Sequence, residues 1–209
     1  MLCDAKGTLQ WREEWDEALF FAPVEAGDLL VLGGASGEVR AVGLACGETR
    51  WAVELPDADM LVGLQAQASG LFAQTAEARL IVLDPEEGRT RWQVASEEGP
   101  VHPAVFVADR VGLVSEGGEL RVFDAATGSL LWKQMLDQRV DTPPAADASA
   151  FFILANDDML YAFEAQQGAA RPPISLAALR PGTIEAKAGK LWVKGVDGRT
   201  FSIPILDGS

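Results

Sequence analysis

The sequence predicts an all-β fold, a five-bladed β-propeller of four-stranded antiparallel blades, and three observations predict it. A glycine recurs at positions 7, 47, 88, 128, 168 and 208, at intervals of 40, 41, 40, 40 and 40 residues. Four of the six tryptophans, Trp11, Trp51, Trp92 and Trp132, stand four residues after one of those glycines. Between these marks the chain breaks into short apolar runs bounded by Gly, Asp, Asn and Ser, and no helical period is sustained over three turns. Four short strands in a period of about 40 residues make a propeller blade.

The copies can be read in order. Asp4 to Trp11 opens the series, Ala45 to Trp51 follows, then Asp84 to Trp92 and Asp124 to Trp132. The fifth copy, Glu164 to Pro172, carries proline where the others carry tryptophan, and a sixth begins at Asp207-Gly208. Within a period the strands show as paired runs: 29–32 with 39–44, 111–114 with 120–123, and 151–154 with 160–163. For the second full repeat the expected strands are 60–67, 71–75, 79–83 and 90–95. Residues 8–15 read as an outermost strand, and 183–206 as only the inner three strands of a blade. The expectation is that the N-terminal strand pairs with the C-terminal blade near Phe201 to Ile205 and closes the ring, making 1–209 a single monomeric domain. A five-period fragment of a longer propeller has the same pattern and stands as the alternative.

The run Leu120-Arg121-Val122-Phe123-Asp124-Ala125-Ala126-Thr127-Gly128-Ser129-Leu130-Leu131-Trp132 resembles the pyrroloquinoline-quinone-type (PQQ-like) propeller repeat: an apolar strand, Asp-Ala-x-Thr-Gly, then a strand carrying Trp. His102-Pro103-Ala104-Val105 is similar to the inner-strand element of the same family. The resemblance runs over the whole chain at repeat level. It implies the blade type and no single activity, because the repeat builds both quinoprotein dehydrogenases and non-enzymatic scaffolds of the BamB-like branch, found in the bacterial envelope. The dehydrogenases carry adjacent cysteines, which this chain lacks: Cys3 and Cys46 lie in different copies. No cofactor is therefore expected.

Composition narrows the function. Asp and Glu number 31 against 17 Lys and Arg, a net charge of −14, which argues against nucleic acid and against an anionic membrane surface. No apolar run is long enough to insert in a membrane. The first residues have neither a basic nor an apolar region of an export leader, so the compartment, envelope or cytoplasm, is left open. Two cysteines and one histidine cannot make a multi-histidine or zinc-cluster site. Gly33-Gly34-Ala35-Ser36-Gly37 has no Lys-Ser/Thr after it and reads as a hairpin turn rather than a phosphate loop. Asn156-Asp157-Asp158 lacks the spacing and closing Glu of a calcium loop and reads as a turn. No catalytic residue and no metal ligand is assigned.

Two sets of residues are candidates for binding. In a propeller the loops joining blades lie on the same face as the turns between second and third strands. Asp16, Glu17, Asp57, Asp59, Glu97, Glu98, Asp137 and Asp141 fall in the joining loops, and Asp157 and Asp158 in such a turn, with Arg139 and Arg180 the chief cations among them. They form an expected acidic face for a protein or peptide partner, cationic in character, with Trp15, Phe20 and Met60 as apolar contacts nearby. The inner strands give a second set, Glu25, Gln65, Gln67, His102, Glu185 and Lys187, facing a central channel. They carry the alternative reading of a small-ligand or enzymatic site around His102. The main reading is a non-catalytic scaffold.

Overall fold

The computed structural model describes residues 2–3, 9–12, 14–56, 60–97, 99, 101–179 and 181–205, with Leu2–Cys3 described by backbone alone. It is all-β, apart from short 3₁₀ turns such as Ala177–Leu179. The chain divides into two compact units, Met1–Ala95 and Ser96–Ser209.

In the first unit, β1 (Leu2–Cys3) and β2 (Leu9–Trp11) form a two-stranded ladder. A four-stranded antiparallel sheet follows, made of β3 (Val24–Ala26), β4 (Leu29–Gly33), β5 (Glu38–Gly43) and β6 (Thr49–Glu54). The next sheet contains β7 (Leu61–Gln67), β8 (Gly70–Thr75), β9 (Arg79–Leu83) and β10 (Thr90–Ala95), within a residue or so of the strands expected from the sequence. In the second unit one sheet contains β11 (Val105–Val107), β12 (Arg110–Val114), β13 (Glu119–Asp124) and β14 (Leu130–Met135). The next contains β15 (Ala145–Ala146), β16 (Ala150–Leu154), β17 (Met159–Glu164) and β18 (Ile174–Ser175). The last has three strands, β19 (Pro181–Lys187), β20 (Lys190–Gly195) and β21 (Thr200–Pro204). Every sheet is a meander in which each strand pairs with its neighbour in sequence.

Within a unit the sheets stack face to face, and the cores lie between them. In the first unit Val31, Val39 and Ala41 pack with Leu61, Leu71, Ile81 and Leu83 of the following sheet. In the second, Val114, Leu120 and Val122 pack with Phe151, Ile153 and Phe163. The opposite face of that middle sheet, through Phe152, Leu154 and Leu160, packs on Ile184, Leu191 and Val193. The inner strands of a blade are therefore covered on two sides, and β8 and β16 are buried along their whole length. That is why β16 reads as a continuous apolar run rather than an alternating one.

One clasp recurs at these interfaces. The indole of Trp51, on the outer strand of one sheet, lies on Gly88 in the turn of the next and donates its N–H to the Pro85 carbonyl at 3.0 Å. Trp132 repeats this on Gly168, with the Ala165 carbonyl at 3.1 Å, and Trp11 repeats it on Gly47, with the Leu44 carbonyl at 2.7 Å. Each acceptor stands three residues before its glycine. These glycines adopt φ of +70 to +72°, a conformation that disfavours a side chain. A Cβ on Gly168 would also approach the Trp132 ring to 2.7 Å. The repeat glycine is thus required twice, by the turn and by the indole above it. In the same turn the carboxylate of Asp84 accepts the amides of Glu86 and Glu87, and that of Asp124 accepts those of Ala126 and Thr127, the Asx geometry expected of Asp at this position.

The expected ring closure is corrected at its stated pairing. Among the described residues, β2 forms its ladder with β1, and β21 is hydrogen-bonded in its sheet to β20. Among the described residues no ladder joins the N-terminal strand to Phe201–Ile205. Gly7 and Gly208, which begin and end the glycine series, lie outside the described residues.

The clasp predicts a coupled pair. Gly168→Ala is expected to cost about 2–4 kcal/mol, from the backbone conformation and the overlap with Trp132 together. In a Trp132→Ala background the same change should cost at least about 1 kcal/mol less. Chemical denaturation of the four proteins of the cycle measures this, and additive losses would refute the clasp.

Candidate functional site

The joining loops and the second-to-third-strand turns are sewn together by backbone hydrogen bonds. As a strand leaves the sheet, the next amide donates to the turn glycine of its own blade: Leu55 to the Gly37 carbonyl at 3.0 Å and Leu136 to the Gly118 carbonyl at 3.0 Å. Further on, the loop carbonyls accept from the turn of the following blade: Ala18 from the Ala35 amide at 3.1 Å, Met60 from Ala76 at 2.8 Å and Arg139 from Asn156 at 3.0 Å. The Val140 amide adds a bond to the Glu116 carbonyl at 3.0 Å. Gly118 has φ +95°, and a Cβ there would meet the Leu136 carbonyl at 2.7 Å, so glycine permits this approach. The loops after β6 and β14 therefore lie against the turns on either side of them.

The acidic residues at this end fall into two classes. Glu17 is held: its carboxylate accepts the Ser36 hydroxyl at 2.6 Å and the Ser36 amide at 3.2 Å. Asp141 and Glu116 are both bridged by Arg139, at 2.6 and 2.9 Å, and their two charges raise the affinity of that guanidinium for its proton, the Asp141 hydrogen bond most of all. Asp157 accepts the Met159 amide at 3.0 Å and the Tyr161 hydroxyl at 2.9 Å; that bond to a carboxylate raises the Tyr161 pKa above its ordinary value. Asp158 occupies the turn position at φ +59°. Asp16, Glu97 and Asp137 are exposed, while Asp57, Asp59, Glu98 and Arg180 lie outside the described residues. The turn at Asn156 to Asp158 joins β16 to β17, as the sequence indicates.

Of the apolar candidates, Phe20 and Met60 are 67% and 45% exposed. Trp15 is partly buried, with the Arg40 guanidinium 4.9 Å above its ring, a cation–π contact. Sequence pattern does not pair these two residues, because the partner lies across a loop and two strands.

The inner-strand candidates separate into local groups. Glu25 and Gln67 line a cleft of about 480 Å³ with Ala26, Gly27 and Ala66, at the hairpin-turn end of their sheets. Gln65 is half-buried opposite Phe72 in the ladder. Glu185 and Lys187 share a groove with Trp192 and Thr200. The His102 imidazole is bound structurally. Its Nε2–H donates to the Val140 carbonyl at 3.0 Å, and its backbone amide donates to Val114 at 2.9 Å. It ties the entry of one blade to the loop leading to the next. One period later Thr142 does similar work through its hydroxyl, donating to the Leu154 carbonyl at 3.1 Å.

The family profile described as outer membrane protein assembly factor BamB matches residues 76–208, well over half of the chain. The chain belongs to this BamB family of PQQ-like repeats. BamB of Nitrosomonas eutropha is 24% identical over 167 residues, 76% of this chain and 40% of that protein. BamB of Alkalilimnicola ehrlichii is 27% identical over 128 residues, 60% of this chain and 33% of that protein. The chain thus matches no more than two-fifths of the length of these curated relatives. Among solved structures, BamB from Moraxella catarrhalis superposes with a TM-score of 0.72 at 19% identity, over 95% of this chain and 62% of that one. The β-propeller domain of Cps50 (Swd1) from Myceliophteria thermophila gives 0.68 at 14%, over 98% and 75%. These likenesses identify the fold as that of β-propellers.

The hydrogen bonds to Glu17 lead to a measurable shift. The Ser36 hydroxyl, then the Ser36 amide, favour its charged form and hold its pKa below the ordinary 4.5. The folded state therefore binds this proton more weakly than the unfolded chain does. The resulting stabilisation is present above the unfolded pKa and disappears as pH falls through the folded one. Carboxyl-detected NMR titration should place the Glu17 midpoint below that of a free glutamate, and Ser36→Ala should move it upward. An unchanged midpoint in Ser36→Ala would contradict the assignment.

Proposed function

We propose that this chain is a non-catalytic docking scaffold, a run of BamB-type blades whose joining-loop end binds a protein or peptide partner. The observation that carries the reading is the sewing of joining loops to their flanking turns. It holds Glu17 in the first unit, and Glu116, Asp141 and Asp157 in the second, in place by hydrogen bonds and ion pairs. A surface fixed before binding loses little entropy when a partner arrives. Membership of a family described as an outer membrane protein assembly factor supports a role beside other proteins. The reading takes residues 1–209 as one propeller domain of five blades, one for each sheet of three or four strands.

The partner would carry a cationic surface. Exposed Asp16, Glu97 and Asp137 add charge around the held carboxylates, and the whole chain carries −14. Such a field chiefly raises the rate of encounter, and salt screens it. Exposed Phe20 and Met60 would supply apolar contact after encounter.

The test uses the immobilised chain and outer membrane assembly components from the same cell. Association should slow with rising salt. The triple change Asp16→Lys, Glu97→Lys and Asp137→Lys should slow it about tenfold at low salt while leaving the melting temperature unchanged. Binding that ignores both ionic strength and the three reversals would overturn the acidic-face reading.

A further inference from the structure

The fifth copy of the outer strand breaks the repeat. Trp11, Trp51, Trp92 and Trp132 are followed, at the next equivalent position, by Pro172. A proline has neither an aromatic ring nor an N–H, and the strand suffers accordingly. Phe163 bridges Ala170, the Arg171 amide reaches the Ala162 carbonyl at 2.8 Å, and the ladder resumes only with β18, where Ile174 pairs with Leu160. Beside Pro172, between the sheet of β15–β18 and the sheet of β19–β21, lies a groove of about 200 Å³. Its apolar walls include Phe152, Leu160, Ala162, Leu191, Ile203 and Ile205, and Arg171 stands at its lining beside Pro172.

This groove is the Trp132 seat one period on. Trp132 stands edge-on to Phe151 at 5.8 Å; forty residues later stands Leu191, in the groove wall. Phe151 pairs with Phe163 in its sheet, and Leu191 pairs with Ile203 in the next. Trp132 pairs with Val122, whose counterpart is Ala162, the smaller residue. Trp132 donates to the Ala165 carbonyl, and the counterpart of Ala165 is Ile205. The backbone settings of those two residues also match: the Ala165 amide donates to Ser149 at 2.9 Å, and the Ile205 amide to Gly189 at 3.1 Å. The chain thus builds the same seat again, aliphatic walls and carbonyl together, and places a pyrrolidine where the indole belongs.

We propose that this groove binds an indole ring supplied from outside the chain, lying between Leu191 and Ala162 with its N–H donated to the Ile205 carbonyl. The volume suits it: an aliphatic cavity of about 150 Å³ holds a single benzene ring, and this one is larger by about the share a second, fused ring needs. The lining is mostly apolar, with Arg171 its one charged member, so the ring gains by burial. The carbonyl gives direction and selects an aromatic with one N–H donor over a plain hydrocarbon. In the intact copies the occupant is a tryptophan side chain of a polypeptide strand, so the occupant here is a tryptophan side chain of a partner polypeptide. The proposal stands apart from the acidic end and does not depend on it.

The test is methyl NMR with N-acetyl-tryptophanamide and, separately, free indole as probes. Shifts are expected at the methyls of Leu191, Ile203 and Ile205, with a dissociation constant on the order of 1 mM for N-acetyl-tryptophanamide; tighter binding of free indole would overturn the polypeptide source. The 1-methylindole analogue of either probe, which has no N–H, should bind about fivefold more weakly. Pro172→Trp should fill the groove with the repeat's own residue, raise the melting temperature and abolish the shifts. Ala162→Leu, which keeps Pro172 and narrows the groove, should weaken binding at least tenfold in a protein that still folds. Absence of shifts at 10-fold the expected constant, equal binding of the N-methyl analogue, or undiminished binding by a folded Pro172→Trp protein would each overturn the proposal.

Discussion

The structure depends on an indole laid over a glycine. A blade of this size has two apolar faces and cannot bury both alone, so its stability comes from the next blade in the stack. The Trp51–Gly88 and Trp132–Gly168 contacts fix how neighbouring sheets meet. The indole supplies a large apolar area and one directed hydrogen bond. The glycine supplies a turn that bends backward and a surface flat enough to receive the ring. Each part is shaped to the other, which explains why the two recur in step along most of the sequence.

From that constraint the loop end follows. When sheets are held at a fixed spacing, the segments joining them have a fixed distance to cover, and their amides and carbonyls must find partners at either side. They find them in the second-to-third-strand turns. His102 and Thr142 belong to the same accounting: both use a side chain to satisfy a carbonyl near the entry to a blade. A histidine alone in the composition invites a chemical reading, and its position explains it as a brace. The acidic residues then divide according to whether a neighbour holds them or leaves them exposed.

Where the indole is missing, the consequence is local. The sheet of β15–β18 keeps its inner strands and its core with the following sheet, so the break costs the outer strand its continuity and leaves the fold intact. Ala162, Leu191 and Ile203 still present the walls that an indole would meet.

The sequence alone determined the period, the all-β class, the strand bounds of the second repeat and the glycine–tryptophan phase. These are legible because they are set by local rules: turn chemistry, apolar run length and the left-handed glycine are all written within a few residues. It also marked the proline at 172 as a departure. Only the tertiary structure decided what touches what. The cation over Trp15, the bridging of Glu116 and Asp141 by Arg139, the serine on Glu17 and the brace at His102 all join residues from different strands or loops, and no spacing rule reports the direction of a side chain. The pairing of the N-terminal strand was misjudged for the same reason. Counting strands shows which edge lacks a partner, while the ladder that forms is chosen by which partner is near in space.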